Sequence, residues 1–446
     1  MAGGTWLSQN KVRAGAYINF KAVPKSSMTV GDRGIVAIPL SLNWGATGKL
    51  IEVLSSDLLD GASQKLVGFT AFDSDSKLLA GALSYCYKAL VYRTNAGGVK
   101  ATATVGAIIA TAKYFGTFGN NILFTVKEDT TTDLWTVETF VNGASVDKQV
   151  IAQASDLASN DYIDFTIDSE SELTETVGTS LTGGTNGTVT EGTAYPAFLN
   201  LLSMAKWQTM ACFSETDSIK SSVQTYIQNM RDNEGRYVQG VVADYDGADY
   251  EGIINSVSGA VIDDVTFSKF DFVAIVAGMT AGSNFNESNT ARKIKGASAI
   301  VNELTDSEIK TALSNGKFLL STSTSGAIKV EQDINSLHTY SQDKNYNFSK
   351  NRIIRTLDEI GTTTKITWED HYMGKVDNND TGRGLFKADL IQYGNEMQRL
   401  NGIQEFAGAE DISVAQGNDL DAVLVDWTIK PVDSMEKLYM TVRVNS

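Results

Sequence analysis

Alternation of apolar and polar side chains is clearest at the two ends of the chain. Residues 437–444 read KLYMTVRV: Leu438, Met440, Val442 and Val444 fall on one face, and Lys437, Tyr439, Thr441 and Arg443 on the other. A period of two marks a half-buried strand. Val423, Val425, Trp427 and Ile429 repeat the pattern, and residues 431–436 separate the two runs. Near the start, Ala16, Ile18, Phe20 and Ala22 alternate with Tyr17, Asn19, Lys21 and Val23, behind Gly3, Gly4 and Gly15 and ahead of Pro24. The last strand has two readings. It folds back as a hairpin on its own domain, as tied-down termini do, or it is donated to a neighbouring copy, for which an unpaired strand is a template. Two tethered strands favour donation.

Between the ends the pattern changes character twice. Residues 34–40 and 89–93 read as strands around a helix over 73–87, with Leu78, Leu79, Ala82, Leu83 and Cys86 on one face. From 99 to 190 helical periodicity nearly vanishes. Residues 99–105 are short and Thr-rich, and strands are predicted over 122–127, 134–141, 144–151 and 162–167, with Asn142-Gly143 as a hairpin turn because both positions tolerate positive φ. This stretch reads as an inserted β-sandwich closed by an exposed Gly/Thr-rich loop, 179–192. Alternation of helix and strand then returns. Helices are predicted over 197–205 and through Ile219, Val223, Tyr226 or Ile227, and Met230, and another opens at the capping box Thr305-x-x-Glu308. Strands are predicted over 209–213, 237–243, 272–277, 318–321 and 328–331. Continuous apolar strands of this kind imply a parallel sheet covered on both faces.

A helix over 347–360 is expected to bury Ile353, Ile354, Leu357 and Ile360, leaving Lys350, Arg352 and Arg355 on or near its exposed side. After a polar loop, 375–384, Phe386, Leu390, Tyr393, Met397 and Leu400 form one stripe of a helix ended by Asn401-Gly402. The fold class is α/β multidomain. The expected parts are an N-terminal arm, 1–30; an α/β segment packing with the core, 31–98; the β-sandwich, 99–190; the main α/β domain, 191–345; an α+β C-terminal domain, 346–430; and a C-terminal arm strand, 431–446.

Composition narrows function mainly by exclusion. The 446 residues are 42% hydrophobic and 20% charged, as in a globular protein. A net charge of −16 argues against a general nucleic-acid binder, which needs basic patches for phosphate. Cys86 and Cys212 are isolated, so they read as reduced core residues of a protein made in a cytoplasm. The start lacks the charged and apolar regions of a signal peptide, and no apolar run approaches the roughly 18 residues of a membrane span. Only two histidines are present, His338 and His371. Gly-x-Ser-x-Gly and Gly-x-Gly-x-x-Gly after a strand are absent, and Gly48-Lys49, Gly316-Lys317 and Gly374-Lys375 all lack the earlier glycine of a phosphate-binding loop. His338 with Asp333 is one possible dyad, more simply a surface or packing pair. Asp370, Asp377 and Asp380 read more simply as turn residues than as metal ligands. No catalytic residue, metal or cofactor is expected.

The order of several short segments completes the reading. Residues 112–122 (AKYFGTFGNNI), 181–187 (LTGGTNG), 333–337 (DINSL), 352–360 (RIIRTLDEI), and Gly374-Lys375 followed by Asn378-Asn379 resemble segments of the contractile tail sheath proteins of phages and phage-derived bacteriocins. The opening TWLSQNKVRAGAYINF and residues 31–36 (GDRGIV) resemble the type found in prophages and tail-like particles of Gram-positive bacteria. The resemblance covers nearly the whole chain, in order. It implies a β-sandwich domain, a subtilisin-like α/β domain without catalytic residues, a C-terminal domain, and arms that add strands to neighbouring subunits in a mesh around an inner tail tube. By position, Tyr17, Ile18, Phe20, Leu438, Met440, Val442 and Val444 carry the donated strands. Val423, Val425, Trp427 and Ile429 belong to the receiving sheet, and Lys387 and Arg399 are candidates for contact with the tube. The implied partners are copies of this chain, the tail tube protein, and baseplate and tail terminator proteins, with no nucleic acid and no membrane insertion. The implied place is a phage tail or tail-like particle assembled in the host cytoplasm and released by lysis. Rival readings are an inactive or cryptic hydrolase and a static filament subunit. Residues 431–436 can span at most roughly 20 Å, at about 3.3–3.6 Å each, which allows moderate movement between strand and body.

Overall fold

The computed structural model describes residues 33–444 together with 28 and 31, and the backbone of 2–4 and 15–17. The chain divides into two compact units, 31–362 with 431–446, and 1–30 with 363–430.

The larger unit is organised by a seven-stranded sheet in the order Lys317–Phe318, Ile253–Ser256, Gln239–Ala243, Thr209–Ala211, Ile35–Leu40, Lys88–Arg93, Leu50–Leu54. Neighbours are parallel except the last pair, which is antiparallel. Of the strands expected after 190, those at 209–211, 239–243 and 317–318 lie in this doubly covered sheet, whereas Leu320–Thr322 and Ile328–Val330 form a separate antiparallel pair; residues 31–98 supply three strands of the large sheet. Each strand feeds two cores because successive side chains point to opposite faces. Val36, Ile38, Val241 and Ala243 pack under the helices Lys77–Leu83 and Lys269–Gly282. Ile35, Ala37 and Val242 pack on the other side, under Glu191–Leu202 and Asp217–Gln228.

The strand expected over 272–277 is a helix, Lys269–Gly282. Every residue from Phe272 to Ala281 is buried, so the helix is apolar all round and its periodicity is erased. The local start signal was there: the Asp271 amide donates to Ser268 Oγ at 3.2 Å, and the Ser268 amide to Asp271 Oδ2 at 3.1 Å. Two glycines let this helix touch its neighbour. A Cβ at Gly278 would sit 2.2 Å from the Ala82 carbonyl oxygen, and one at Gly282 would sit 1.9 Å from that of Tyr85. The helix expected over 73–87 is shorter, a turn at Ser74–Ser76 and then Lys77–Leu83. The one expected over 197–205 begins earlier and runs Glu191–Leu202 with Pro196 inside, held by buried Tyr195, Phe198, Leu199 and Leu202.

Residues 102–180 form two antiparallel sheets. One has the order Ala144–Ile151, Leu134–Val141, Ile122–Asp129, Thr176–Ser180; the other has Ile163–Ile167, Ile108–Ala112, Thr102–Val105. Asn142 and Gly143 take φ of 50° and 81°, as their hairpin requires. The loop expected to be exposed over 179–192 is partly built in: Leu181 is buried and Thr188–Val189 pairs with Asn95–Ala96. The core between the two sheets includes a residue from the body, fully buried Trp44, whose ring lies 5.1 Å from Tyr114 and 5.1 Å from Phe118.

In the smaller unit the helix Asp380–Arg399 buries Phe386, Leu390, Tyr393 and Met397, as the stripe predicts. It starts inside the expected 375–384 loop, because Asn379 Oδ1 accepts the Gly382 amide at 2.9 Å and caps it. Asn401 turns the chain at its end with φ 57°. A hairpin of Ile412–Gln416 and Val423–Trp427 packs on this helix through Trp427, 6.3 Å from Tyr393. The backbone segments Ala2–Gly4 and Gly15–Tyr17 pair in parallel.

Candidate assembly surface and the roots of the terminal arms

Residues 437–444 form no strand within the chain, so of the two readings the folded-back hairpin is not the one realised. Val423–Trp427 takes Ile412–Gln416 as its partner instead. Amphipathic alternation states what a segment would bury if a ladder were offered; it does not supply the ladder. Both faces of this segment are therefore in solvent: Leu438 is 85% exposed, Tyr439 89%, Met440 73%, Val442 72% and Val444 89%. Within the hairpin, Val423, Val425 and Trp427 lie on the less exposed face, and Ile429 follows on the same side of the alternation. Gly15–Tyr17 gives Tyr17 a place in a strand, while Ile18 and Phe20 lie outside the described residues.

The exposed segment begins directly after a buried anchor. Lys350 donates to Glu436 Oε2, and the two side chains are only 5% and 8% exposed. Thr290 Oγ1 donates to Glu436 Oε1 at 2.7 Å and accepts the Asp333 amide at 2.9 Å. Asp333 in turn takes Arg355 Nη2 at 2.7 Å, the Asn289 amide at 2.9 Å and Asn351 Nδ2 at 2.9 Å. Burial alone would raise the Asp333 carboxyl; the Arg355 guanidinium and these donors hold it below its ordinary value. Burial likewise opposes charge on Lys350, and Glu436 reverses that, leaving the ammonium above its usual range. Arg33 is pushed down to about 10 by burial and by Arg355 nearby.

This corrects the sequence reading of the helix, which runs Asn351–Thr367. Lys350 and Arg355 are buried, Arg352 is half-buried, and Ile353 and Ile354 are buried as expected. A charged residue at a helical position reads as solvent-facing until its partner, distant in sequence, is known. The two stretches DINSL and RIIRTLDEI meet at the Asp333–Arg355 pair, so part of the family-like sequence is this junction. Another part seals the β-sandwich to the body. Arg93 Nη1 donates to the carbonyls of Gly45 at 2.8 Å and Phe115 at 2.9 Å, and Asn186 Oδ1 accepts the Thr117 amide at 2.7 Å. A Cβ at Gly116 would lie 1.8 Å from the Asn43 carbonyl oxygen.

The enzyme-like pairs are not assembled. Asp333 is sealed by Arg355, and His338 lies against Asp249 instead, Nδ1 3.4 Å from Oδ1 and 2.9 Å from the Ser336 carbonyl. Asp380 pairs with Arg383 at 2.5 Å, and the Asn379 amide donates to the Asp377 carbonyl at 2.9 Å, so the Asx-rich stretch is a turn and helix cap. No group of three or more His, Cys, Asp or Glu among the described residues is arranged to hold a metal ion. Lys387 Nζ donates to the Ala409 carbonyl at 3.1 Å, and exposed Arg399 pairs with Glu396 at 2.6 Å. Cys86 and Cys212 are buried, as expected.

Comparison with known proteins agrees along the whole chain. Residues 96–186 match the phage tail sheath protein beta-sandwich domain, 188–336 the central domain, and 343–445 the phage tail sheath C-terminal domain. The phage-like element PBSX protein XkdK of Bacillus subtilis is 33% identical, covering 100% of both chains. The crystal structure of a sheath tail protein from Desulfitobacterium hafniense shares 37% identity and a TM-score of 0.84 over 96% of this chain and 100% of its own. The helical sheath of the anti-feeding prophage in its contracted state shares the fold, with a TM-score of 0.58 at 8% identity over 98% of this chain and 99% of its own. With its β-sandwich, its α/β body and its C-terminal unit each matched in order, the chain belongs to the phage tail sheath family.

Proposed function

We propose that the chain polymerises helically around a tail tube in an extended state and contracts to drive that tube through a cell envelope. The observation that carries this reading is the exposed, amphipathic segment 437–444 held at its root by a buried ion pair. Such a segment has an apolar face to hide and a backbone ladder to fill, and a neighbouring subunit's hairpin at Val423–Trp427 offers both. Tyr17, Ile18 and Phe20 fill the same role at the other end. Backbone ladders survive rigid-body rotation, so donated strands keep subunits connected while the lattice shortens. New contacts in the contracted lattice supply the free energy without a nucleotide.

The α/β body, read as a subtilisin-like fold, acts as a scaffold without catalysis. The remaining partners are the tail tube, baseplate and tail terminator proteins, in a particle assembled in the host cytoplasm and released by lysis. No nucleic acid or membrane insertion is involved; among the described residues no helix is long and apolar enough to cross a membrane. The test is a chain lacking 438–446. It should fold as a soluble monomer and form no tubes by electron microscopy; normal tubes would defeat the reading.

A further inference from the structure

Both ends of the larger unit are tied to one helix. Lys350 immediately precedes Asn351–Thr367 and offers its carbonyl to the Ile354 amide at 3.0 Å, and its ammonium grips Glu436. Further along, Glu359 Oε1 accepts the Gly31 amide at 2.8 Å, where the N-terminal segment enters the body. On a helix these two attachment points lie about 13 Å apart. The stretch between them is pinned by two buried ion pairs: Arg355 with Asp333 at 2.7 Å, and Arg231 on Asp358 at 2.6 and 2.9 Å.

We propose that the helix Asn351–Thr367 is the shared anchor of both terminal arms, with Lys350, Thr290 and Glu436 as the latch of the C-terminal one. Residues 431–436 need only length to reach a neighbour, and their one long carboxylate side chain next to the exposed segment could have stayed in water. It is instead desolvated against Lys350 and Thr290, at a cost that only close geometry offsets. The arrangement fixes where the arm leaves the body, and leaves residues 437–444 exposed beyond it. A pull on either arm reaches the same helix, and through Asp333 and Arg231 the sheet behind it. The two exit points therefore keep a constant spacing while the arms reorient. This inference rests on reading 437–444 as a strand shared between subunits.

Amide exchange on the full soluble chain tests it, read at 431–436 and at the first helical turn, 351–354. Glu436→Gln and Lys350→Met should each speed exchange at both places about tenfold or more, with the central strand Gln239–Ala243 unchanged. The charge-swapped pair K350E/E436K should return exchange toward the parental rate. Should a single variant fail to fold, Thr290→Val, which removes the hydroxyl that donates to Glu436 and accepts the Asp333 amide but leaves both charges in place, gives the same two readouts. Unchanged exchange at 431–436 overturns the latch. Faster exchange there with an unaltered first turn overturns the shared anchor. Tubes formed by a chain lacking 438–446 would instead overturn strand donation and leave the exchange result standing.

Discussion

For a single charged residue, burial decides what an ion pair is worth. Arg355 and Asp333 are 0% and 1% exposed, so Arg355→Met strands a buried carboxylate and should cost about 3–5 kcal/mol in denaturant unfolding. Lys310, 73% exposed and paired with Asp306 one turn away, should lose no more than about 0.5 kcal/mol on Lys310→Ala. The pH response has a definite sign. Asp333 is held below the unfolded carboxyl value of about 3.9, so its contribution is full above that pH. It is lost as pH falls below about 4 through the folded value, and Asp333→Asn should flatten that part of the acid-stability profile. The cysteines make a separate prediction. Burial pushes the Cys86 thiol up to about 12 and the Cys212 thiol up to about 11. Native protein at pH 8 should resist iodoacetamide, and both thiols should react after denaturation.

Among the elements, the helix Lys269–Gly282 and the segment 437–444 show opposite limits of pattern reading. The helix is buried on every side and touches the Lys77–Leu83 helix through Gly278. Gly278→Val places carbon against backbone that cannot swing aside, and should cost at least the about 1–3 kcal/mol of ordinary overpacking, seen as a lowered melting temperature. The terminal segment is exposed on every side. Burying Leu438, Met440, Val442 and Val444 on a neighbour gains about 1.5–3 kcal/mol each. Ordering the backbone costs about 1–2 kcal/mol per residue over the same stretch. The two sums are of similar size, so one arm docks marginally and repetition across a lattice makes the mesh. Met440→Asp should therefore abolish tubes while leaving the monomer's melting temperature unchanged.

For the whole molecule, the prediction concerns which face meets the tube. The hairpin and the backbone strands Ala2–Gly4 and Gly15–Tyr17 belong to the same unit as Asp380–Arg399. We propose that the helix Asp380–Arg399 of that unit is what meets the tube. Lys387 and Arg399 then face the tube. Surface charges of this kind contribute weakly and are screened by salt, which suits a contact that must be released. Charge reversal at either residue should impair polymerisation on the tube more than self-assembly of free sheath. A density map with Asp380–Arg399 away from the tube would overturn the proposal.

The sequence by itself determined the doubly covered parallel sheet, the Asn142-Gly143 hairpin, the capping box at Thr305 and the stripe through Phe386, Leu390, Tyr393 and Met397. Each depends on a local rule: side-chain period, turn chemistry or cap geometry. It also carried the family-like segments in their order. Tertiary structure decided what depends on a partner far along the chain. Residues 272–277 became helix because cores on all sides removed the polar face that marks one. Lys350 and Arg355 became buried because Glu436 and Asp333 neutralise them across 86 and 22 residues. Residues 437–444 stayed unpaired because a strand needs a second strand, and among the described residues none pairs with them; Val423–Trp427 pairs on one edge with Ile412–Gln416 and keeps the other. Spacing along a sequence encodes which face a segment would bury; only the assembled surroundings supply the charge, the ladder or the void that it meets.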